Sequence, residues 1–178
     1  MDFMFMEVEW ESSLTEELLD WAFNQPEEMW IQYYAFKALP LKGPGGEFKF
    51  WSDGFLQWLY KRHPFVAGVL KINGNSYYDW HVDADRGVSV NMLLTPENHS
   101  HCLFSPEYQA EDEDNARRGP CVELVYKPNT FYLLNTQVHH CVVNLDKPRY
   151  MMSVEFAEDK KVMSFGDLAK EIREEWTV

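Results

Sequence analysis

The apolar residues Leu14, Leu18, Leu19, Ala22 and Phe23 fall three and four positions apart, which places them on one face of a helix. Ser13 and Glu16 stand ahead of that run in the S-x-x-E spacing of a capping box, and Pro26 ends it. Residues 30–37 (WIQYYAFK) are rich in aromatic and branched side chains and predict a strand, followed by the turn-rich stretch LPLKGPGGE. Ser52 and Asp53 offer an N-cap to a second short helix over 54–62, with Phe55, Leu56, Leu59 and Tyr60 on one side. From Phe65 the pattern changes. Short apolar runs bounded by Gly, Asn, Pro and Asp recur over 66–72, 76–82, 88–95, 101–104, 121–126, 130–134, 139–144 and 149–157, a spacing that predicts a sandwich or barrel. The charged stretch SPEYQAEDEDNARRGP (105–120) interrupts the series as the longest loop and a candidate lid, and Ser164 to Asp167 leads into a capped terminal helix. The expectation is one domain over 1–178, mainly β with flanking helices: a helical margin 1–64, a β core 65–157 and a terminal helix 164–176.

Composition narrows the classes. With 178 residues, 46% of them apolar and 16% aromatic, the chain can bury a sizeable core. A net charge of -13, from 29 acidic against 16 basic residues, argues against gripping a nucleic-acid backbone or an anionic membrane surface. It leaves a cationic substrate or partner, or solubility alone. Cys102, Cys121 and Cys141 are odd in number and form no C-x-x-C pair, so neither a disulfide framework nor a zinc knuckle is expected. The N-terminal segment lacks a basic region and carries Glu7, Glu9 and Glu11 where a signal peptide has its apolar core. No apolar run approaches the ~20 residues of a membrane helix. These features together predict a cytoplasmic protein.

The segment YYDWHVDADRGVSVNMLL carries the most chemistry. Residues two apart on a strand share a face, so His81 and Asp83 present an imidazole and a carboxylate side by side. A third ligand must come from another strand, and His139 and His140 lie in a later strand-like run. Two imidazoles and one carboxylate on one face of a metal form the facial triad of non-haem Fe(II) oxygenases, with the remaining positions open. Arg149 follows a Leu-Asp-Lys-Pro turn, where a buried guanidinium could receive the distal carboxylate of a dicarboxylate ligand through paired hydrogen bonds. In a regular strand from 140, His140, Val142 and Asn144 share a face while His139 points away, and a bulge reverses that parity in favour of His139. His99, His101 and Cys102 form a competing zinc- or copper-type cluster. The acidic run 111–114 reads as a solvated loop, because it lacks the ligand spacing of an EF-hand.

The ordered combination of H-x-D, then Asn135, His140, Val142 and Asn144, then Pro148-Arg149 resembles the Fe(II)- and 2-oxoglutarate-dependent dioxygenases. Among these it is most similar to small bacterial and phage-type proteins related to aspartyl/asparaginyl β-hydroxylases and prolyl hydroxylases, over about residues 65–157. The resemblance implies a double-stranded β-helix, the jelly roll shared with cupins. It also implies Fe(II) held by His81, Asp83 and His140, with 2-oxoglutarate bound through its C5 carboxylate to Arg149 and facing Asn91. The implied reaction uses molecular oxygen to hydroxylate an unactivated C–H bond and releases succinate and carbon dioxide. The implied substrate is a Pro, Asn or Asp side chain of a peptide, a free amino acid or another small molecule. Two departures matter. Met151 stands where some relatives carry a serine, so a hydroxyl for the cosubstrate must come from Tyr78, Tyr132 or Ser153. Retention of Asp83 argues against a halogenase. The competing expectations are a cupin-like metal enzyme of another reaction type and a catalytically silent β-sandwich that binds a partner.

Overall fold

The computed structural model describes residues 3–41, 52–97, 99–107, 109–110, 116–117, 119–158 and 162–176. In chain order its elements are β1 (Phe5–Glu11), α1 (Thr15–Phe23), β2 (Ile31–Gln32), β3 (Lys37–Pro40), α2 (Gly54–Arg62), β4 (Phe65–Ile72), β5 (Ser76–His81), β6 (Val88–Leu93) and β7 (Ser100–Ser105). There follow β8 (Gln109–Ala110), β9 (Ala116–Arg117), β10 (Val122–Leu124), β11 (Thr130–Asn135), β12 (His139–Asn144), β13 (Arg149–Phe156) and α3 (Phe165–Glu175). Antiparallel pairing builds a seven-stranded sheet ordered β1-β11-β6-β13-β4-β3-β2 and a four-stranded sheet ordered β10-β7-β12-β5, while β8 and β9 pair separately. This is the mainly β architecture that the strand spacing predicts and the jelly roll that the resemblance implies, with the helices on the outer face of the larger sheet. No helix among the described residues is long and apolar enough to cross a membrane.

Two layers of burial explain how the site is placed. On the outer face, Leu18, Phe55, Leu59, Leu168 and Ile172 of the helices pack against Val69, Val90, Phe131, Met152 and Val154. Between the sheets, Leu93, Phe104, Leu124, Leu134, Val142 and Met151 form a second cluster. Strands β6 and β13 are therefore covered on both faces, and alternation survives in their chemistry where it is lost in their burial. In β6, Val88, Val90 and Met92 join the outer cluster while Ser89 and Asn91 face the space between the sheets. In β13, Tyr150, Met152 and Val154 go outward while Arg149, Met151 and Ser153 go inward.

The first 64 residues carry strands as well as helices. In β1, Met6 and Val8 are buried between exposed Glu7 and Glu9, a period-two pattern that pairs the strand with β11. The strand expected over 30–37 forms instead as the hairpin of β2 and β3, whose turn is closed by a Tyr33 N–H donating to the Phe36 carbonyl (2.8 Å). The expected capping box does not form. Helix α1 starts after Leu14 without a side-chain cap, and it is Ser12 Oγ that accepts from the Leu14 N–H (3.2 Å). Asp53 caps α2 as expected, accepting from the Leu56 N–H (3.1 Å). Its other oxygen accepts from Trp10 Nε1 (3.0 Å) and Ser12 Oγ (2.9 Å), so one buried carboxylate joins α2 to the end of β1. Asp53→Ala will lower the unfolding free energy by about 2 kcal/mol, from one lost cap and the partners it strands, as read by urea denaturation.

Candidate metal and cosubstrate site

A bulge aims the first candidate ligand. Strand β12 pairs regularly with β7 from His139 to Asn144, yet against β5 its His140 faces His81 and its Val142 faces Tyr78. Three steps along β5 thus match two along β12, and the extra residue turns His81 onto the inward face that Tyr78 already occupies. The bulge lies on β5 and leaves the parity of β12 intact. His140 and Val142 consequently line the cavity between the sheets, and His139 does not. The chain then turns after β5, where the Asp83 N–H donates to the Thr136 carbonyl (3.0 Å) and brings the carboxylate beside both imidazoles. One ligand atom from each of His81, Asp83 and His140 lies within 4.8 Å of the others, the single such group among the described residues.

The tautomers follow from the partners. His81 Nδ1 lies 2.6 Å from the Asp79 carbonyl and His140 Nδ1 2.9 Å from the Val138 carbonyl. A carbonyl only accepts, so both Nδ1 atoms carry the proton and both Nε2 lone pairs are free for a metal. The rings are also packed in place: Tyr78 stacks on His81 (centroids 4.0 Å) and Phe104 on His140 (5.5 Å). Burial, followed by the neighbouring His81 ring, lowers the His140 pKa to about 4, with the Val138 carbonyl opposing. That keeps the imidazole neutral, as ligation requires. The folded-state pKa lies below the ordinary histidine value of 6.5, so the unfolded chain binds the proton first on acidification. The metal-free protein will therefore lose a few kcal/mol of stability from this one group as pH falls from about 6.5 to about 4, measured as urea midpoints across that range.

The triad opens into a cavity of about 630 Å³, its mouth included. Arg149 lies in the same cavity, 3% exposed. Its Nη2 donates to Met151 Sδ (3.3 Å), its Cζ lies 5.2 Å from the centre of the Tyr126 ring, and Nε and Nη1 have no partner. Three further lining atoms share that condition: Tyr126 OH, Ser89 Oγ and Asn91 Oδ1. Burial pushes the Tyr126 phenol well up, which keeps it a neutral donor. Burial also raises the Cys102 thiol, with Arg149 opposing. A second concavity shares Phe36, Leu70, Arg86 and Ser153 with the first and extends over Val66 and Gly68.

Of the remaining candidates from the sequence, Tyr78, Asn91 and Ser153 line the cavity. Tyr132 does not. It sits on the right face of β11 but toward the rim, where its hydroxyl accepts from the Lys127 N–H (3.2 Å) and donates to Glu7 Oε2 (3.4 Å). His99, His101 and Cys102 do not converge: His99 pairs with Glu97, the exposed His101 pairs with Glu123, and Cys102 is turned into the interior. The acidic run 111–114 lies outside the described residues, as does part of the candidate lid. The sequence reading missed Arg86, Tyr126 and Ser89. Serine and asparagine at alternate positions of an otherwise apolar β6 were a legible signal for Ser89, whereas the contact of Tyr126 with Arg149 is purely tertiary.

No protein-family model matches the chain, and no curated protein matches it in sequence. Solved structures do match. A prolyl 4-hydroxylase of Pseudomonas putida superposes with a TM-score of 0.60 at 12% identity, over 85% of this chain and 90% of that one. The fold is that of the 2-oxoglutarate/Fe(II) oxygenases. A prolyl hydroxylase from Trichoplax adhaerens, in complex with a peptide fragment of the hypoxia inducible factor oxygen degradation domain, gives 0.60 at 14% identity, over 85% and 81% of the two chains. The non-heme alpha ketoglutarate dependent epimerase SnoN, from nogalamycin biosynthesis, gives 0.56 at 12%, over 86% and 78%. The same scaffold thus hosts more than one reaction, and the chemistry must be argued from the site.

Proposed function

We propose that this protein is an Fe(II)- and 2-oxoglutarate-dependent oxygenase that hydroxylates a C–H bond. The observation that carries the reading is the Arg149 guanidinium, buried with two unpartnered nitrogens, Nε and Nη1, in the cavity that also holds the triad. A buried, unpaired cation is costly, by several kcal/mol, and an anionic ligand offsets that cost. The ligand that suits both ends of this cavity has a carboxylate for Arg149 and a chelating group for a metal at His81, Asp83 and His140. 2-Oxoglutarate has that form. The unpartnered Tyr126, Ser89 and Asn91 atoms supply further polar contacts around it.

In this reading, bound iron and 2-oxoglutarate supply oxygen-dependent decarboxylation to succinate and carbon dioxide, coupled to hydroxylation of the substrate. The protein's share is positional. His81, Asp83 and His140 would hold the iron. Arg149 and Tyr126 seat the C5 carboxylate, with Tyr126 providing the hydroxyl that Met151 cannot. Ile72, Leu134 and Val142 keep the lining apolar and exclude water. The substrate, a peptide side chain or a free amino acid, approaches over the concavity at Val66, Gly68 and Leu70, past Phe36. The reading takes the chain as one catalytic domain, in a reducing cytoplasm that suits its three free thiols.

The test is succinate release from 2-oxoglutarate by iron-loaded protein in air, screened over Pro-, Asn- and Asp-containing peptides and free amino acids. The expected result is iron-dependent succinate formation, increased by at least one panel member and absent in His140→Ala. Protein that binds iron yet neither binds nor converts 2-oxoglutarate contradicts the reading.

A further inference from the structure

The Asp83 carboxylate is held from behind. Arg86 directs Nε (2.9 Å) and Nη2 (2.8 Å) onto the same oxygen, Oδ2. The other oxygen, Oδ1, lies 3.6 Å from His81 Nε2, on the side where the ligand atoms converge. The two imidazoles are fixed in the same manner, their Nδ1 atoms tied to backbone carbonyls and their Nε2 atoms left free. Each of the three groups therefore has its outer polar atom engaged and one atom remaining for the centre. Arg86 is itself framed. Its carbonyl accepts from Thr136 Oγ1 (2.7 Å) and Gln137 Nε2 (2.7 Å), and the same Gln137 amide donates to the Asp83 carbonyl (2.9 Å). Its Nη1 faces Ser153 Oγ of β13 at 3.4 Å. The turn after β5 is thus clamped to the turn that leads into His140.

We infer that Arg86 is a positioning residue for Asp83, confining it to ligation through Oδ1 alone. A free carboxylate can rotate and offer both oxygens to a cation, and a second bound oxygen would occupy a position that a facial triad must keep open. The guanidinium fork suits the task because two N–H groups on one stem reach one oxygen, which a lysine ammonium cannot reproduce from the same position. Arg86 also carries an opposing effect, since its charge repels the metal. Removing that charge tightens metal binding while releasing the carboxylate weakens it, so affinity alone does not separate the two. The inference rests on the triad being a metal centre, as proposed above.

The test is titration of metal-free protein with Co(II), recording affinity and the visible d–d spectrum for wild type, Arg86→Lys and Arg86→Gln. Thermal unfolding of each metal-free protein establishes that it is folded. The lysine variant keeps the charge and loses the fork. It is expected to bind Co(II) about 10- to 100-fold more weakly, with a d–d band changed in shape and intensity. Arg86→Gln is expected to show a changed band with a smaller loss of affinity, because the repelling charge is gone. Wild-type spectrum and affinity in Arg86→Lys overturn the positioning role; if that variant does not fold, a wild-type band in Arg86→Gln does so. Wild-type protein that takes up no Co(II) overturns the metal centre itself, and this role with it.

Discussion

Arg149→Gln will raise the 2-oxoglutarate concentration for half-maximal succinate release by at least about 100-fold, since losing one partner of a buried charge pair costs about 3–5 kcal/mol. The glutamine can offer one neutral donor where the guanidinium offered a charged pair, so substrate-independent binding of 2-oxoglutarate falls in parallel. A second readout separates this role from a structural one. Nε and Nη1 of Arg149 have no protein partner, so ligand-free folding bears the burial cost of the charge without the return of an ion pair. Arg149→Gln is therefore expected to be at least as stable as wild type without 2-oxoglutarate, and to lose the rise in unfolding temperature that 2-oxoglutarate gives wild type. A ligand-free variant destabilised by several kcal/mol, with unchanged 2-oxoglutarate affinity, would show the guanidinium to be a framework group.

Asp83→Ala will abolish succinate formation and weaken Fe(II) binding by more than the about 10- to 100-fold that a lost outer partner costs, because it removes a ligand atom and its negative charge together. The two histidines left behind sit on adjacent strands, and Arg86, no longer paired with a carboxylate, presents an uncompensated cation beside them. Equilibrium dialysis against Fe(II) under anaerobic conditions measures the affinity, and succinate release measures the activity. Turnover at the wild-type rate would mean that the ligand assignment is wrong.

Much of the barrel was legible because turn residues punctuate short apolar runs, and β4 to β7 and β11 to β13 fall where that punctuation places them. The segments that escaped did so for identifiable reasons. Strand β1 alternates Met6 and Val8 with Glu7 and Glu9, a run too short to stand out beside the helix that follows it; pairing with β11 decides it. Residues 30–37 hold strand-forming side chains, yet the chain reverses at Tyr33 to Phe36, and composition does not register a reversal without Gly or Pro at the turn. At the site, period-two spacing put His140 and Val142 on one face, and both line the cavity because β12 keeps its parity. His81 reaches the cavity through a bulge on β5, which leaves no mark in the sequence. Tyr132 and Tyr126 show the limit most plainly. Parity gives Tyr132 the inward face, but it cannot show that the strand lies beside β1, where Glu7 takes the hydroxyl. Tyr126 belongs to no strand, and only the packed structure brings its ring to Arg149.

The most direct test of an iron and 2-oxoglutarate centre is anaerobic titration of the metal-free protein with Fe(II) and then 2-oxoglutarate, followed by visible absorption. The expected result is a broad band that requires both additions, saturates at one equivalent of each, and is lost in His140→Ala. Stoichiometric iron binding with no new band on adding 2-oxoglutarate would contradict the shared cavity of triad and Arg149 as a cosubstrate site.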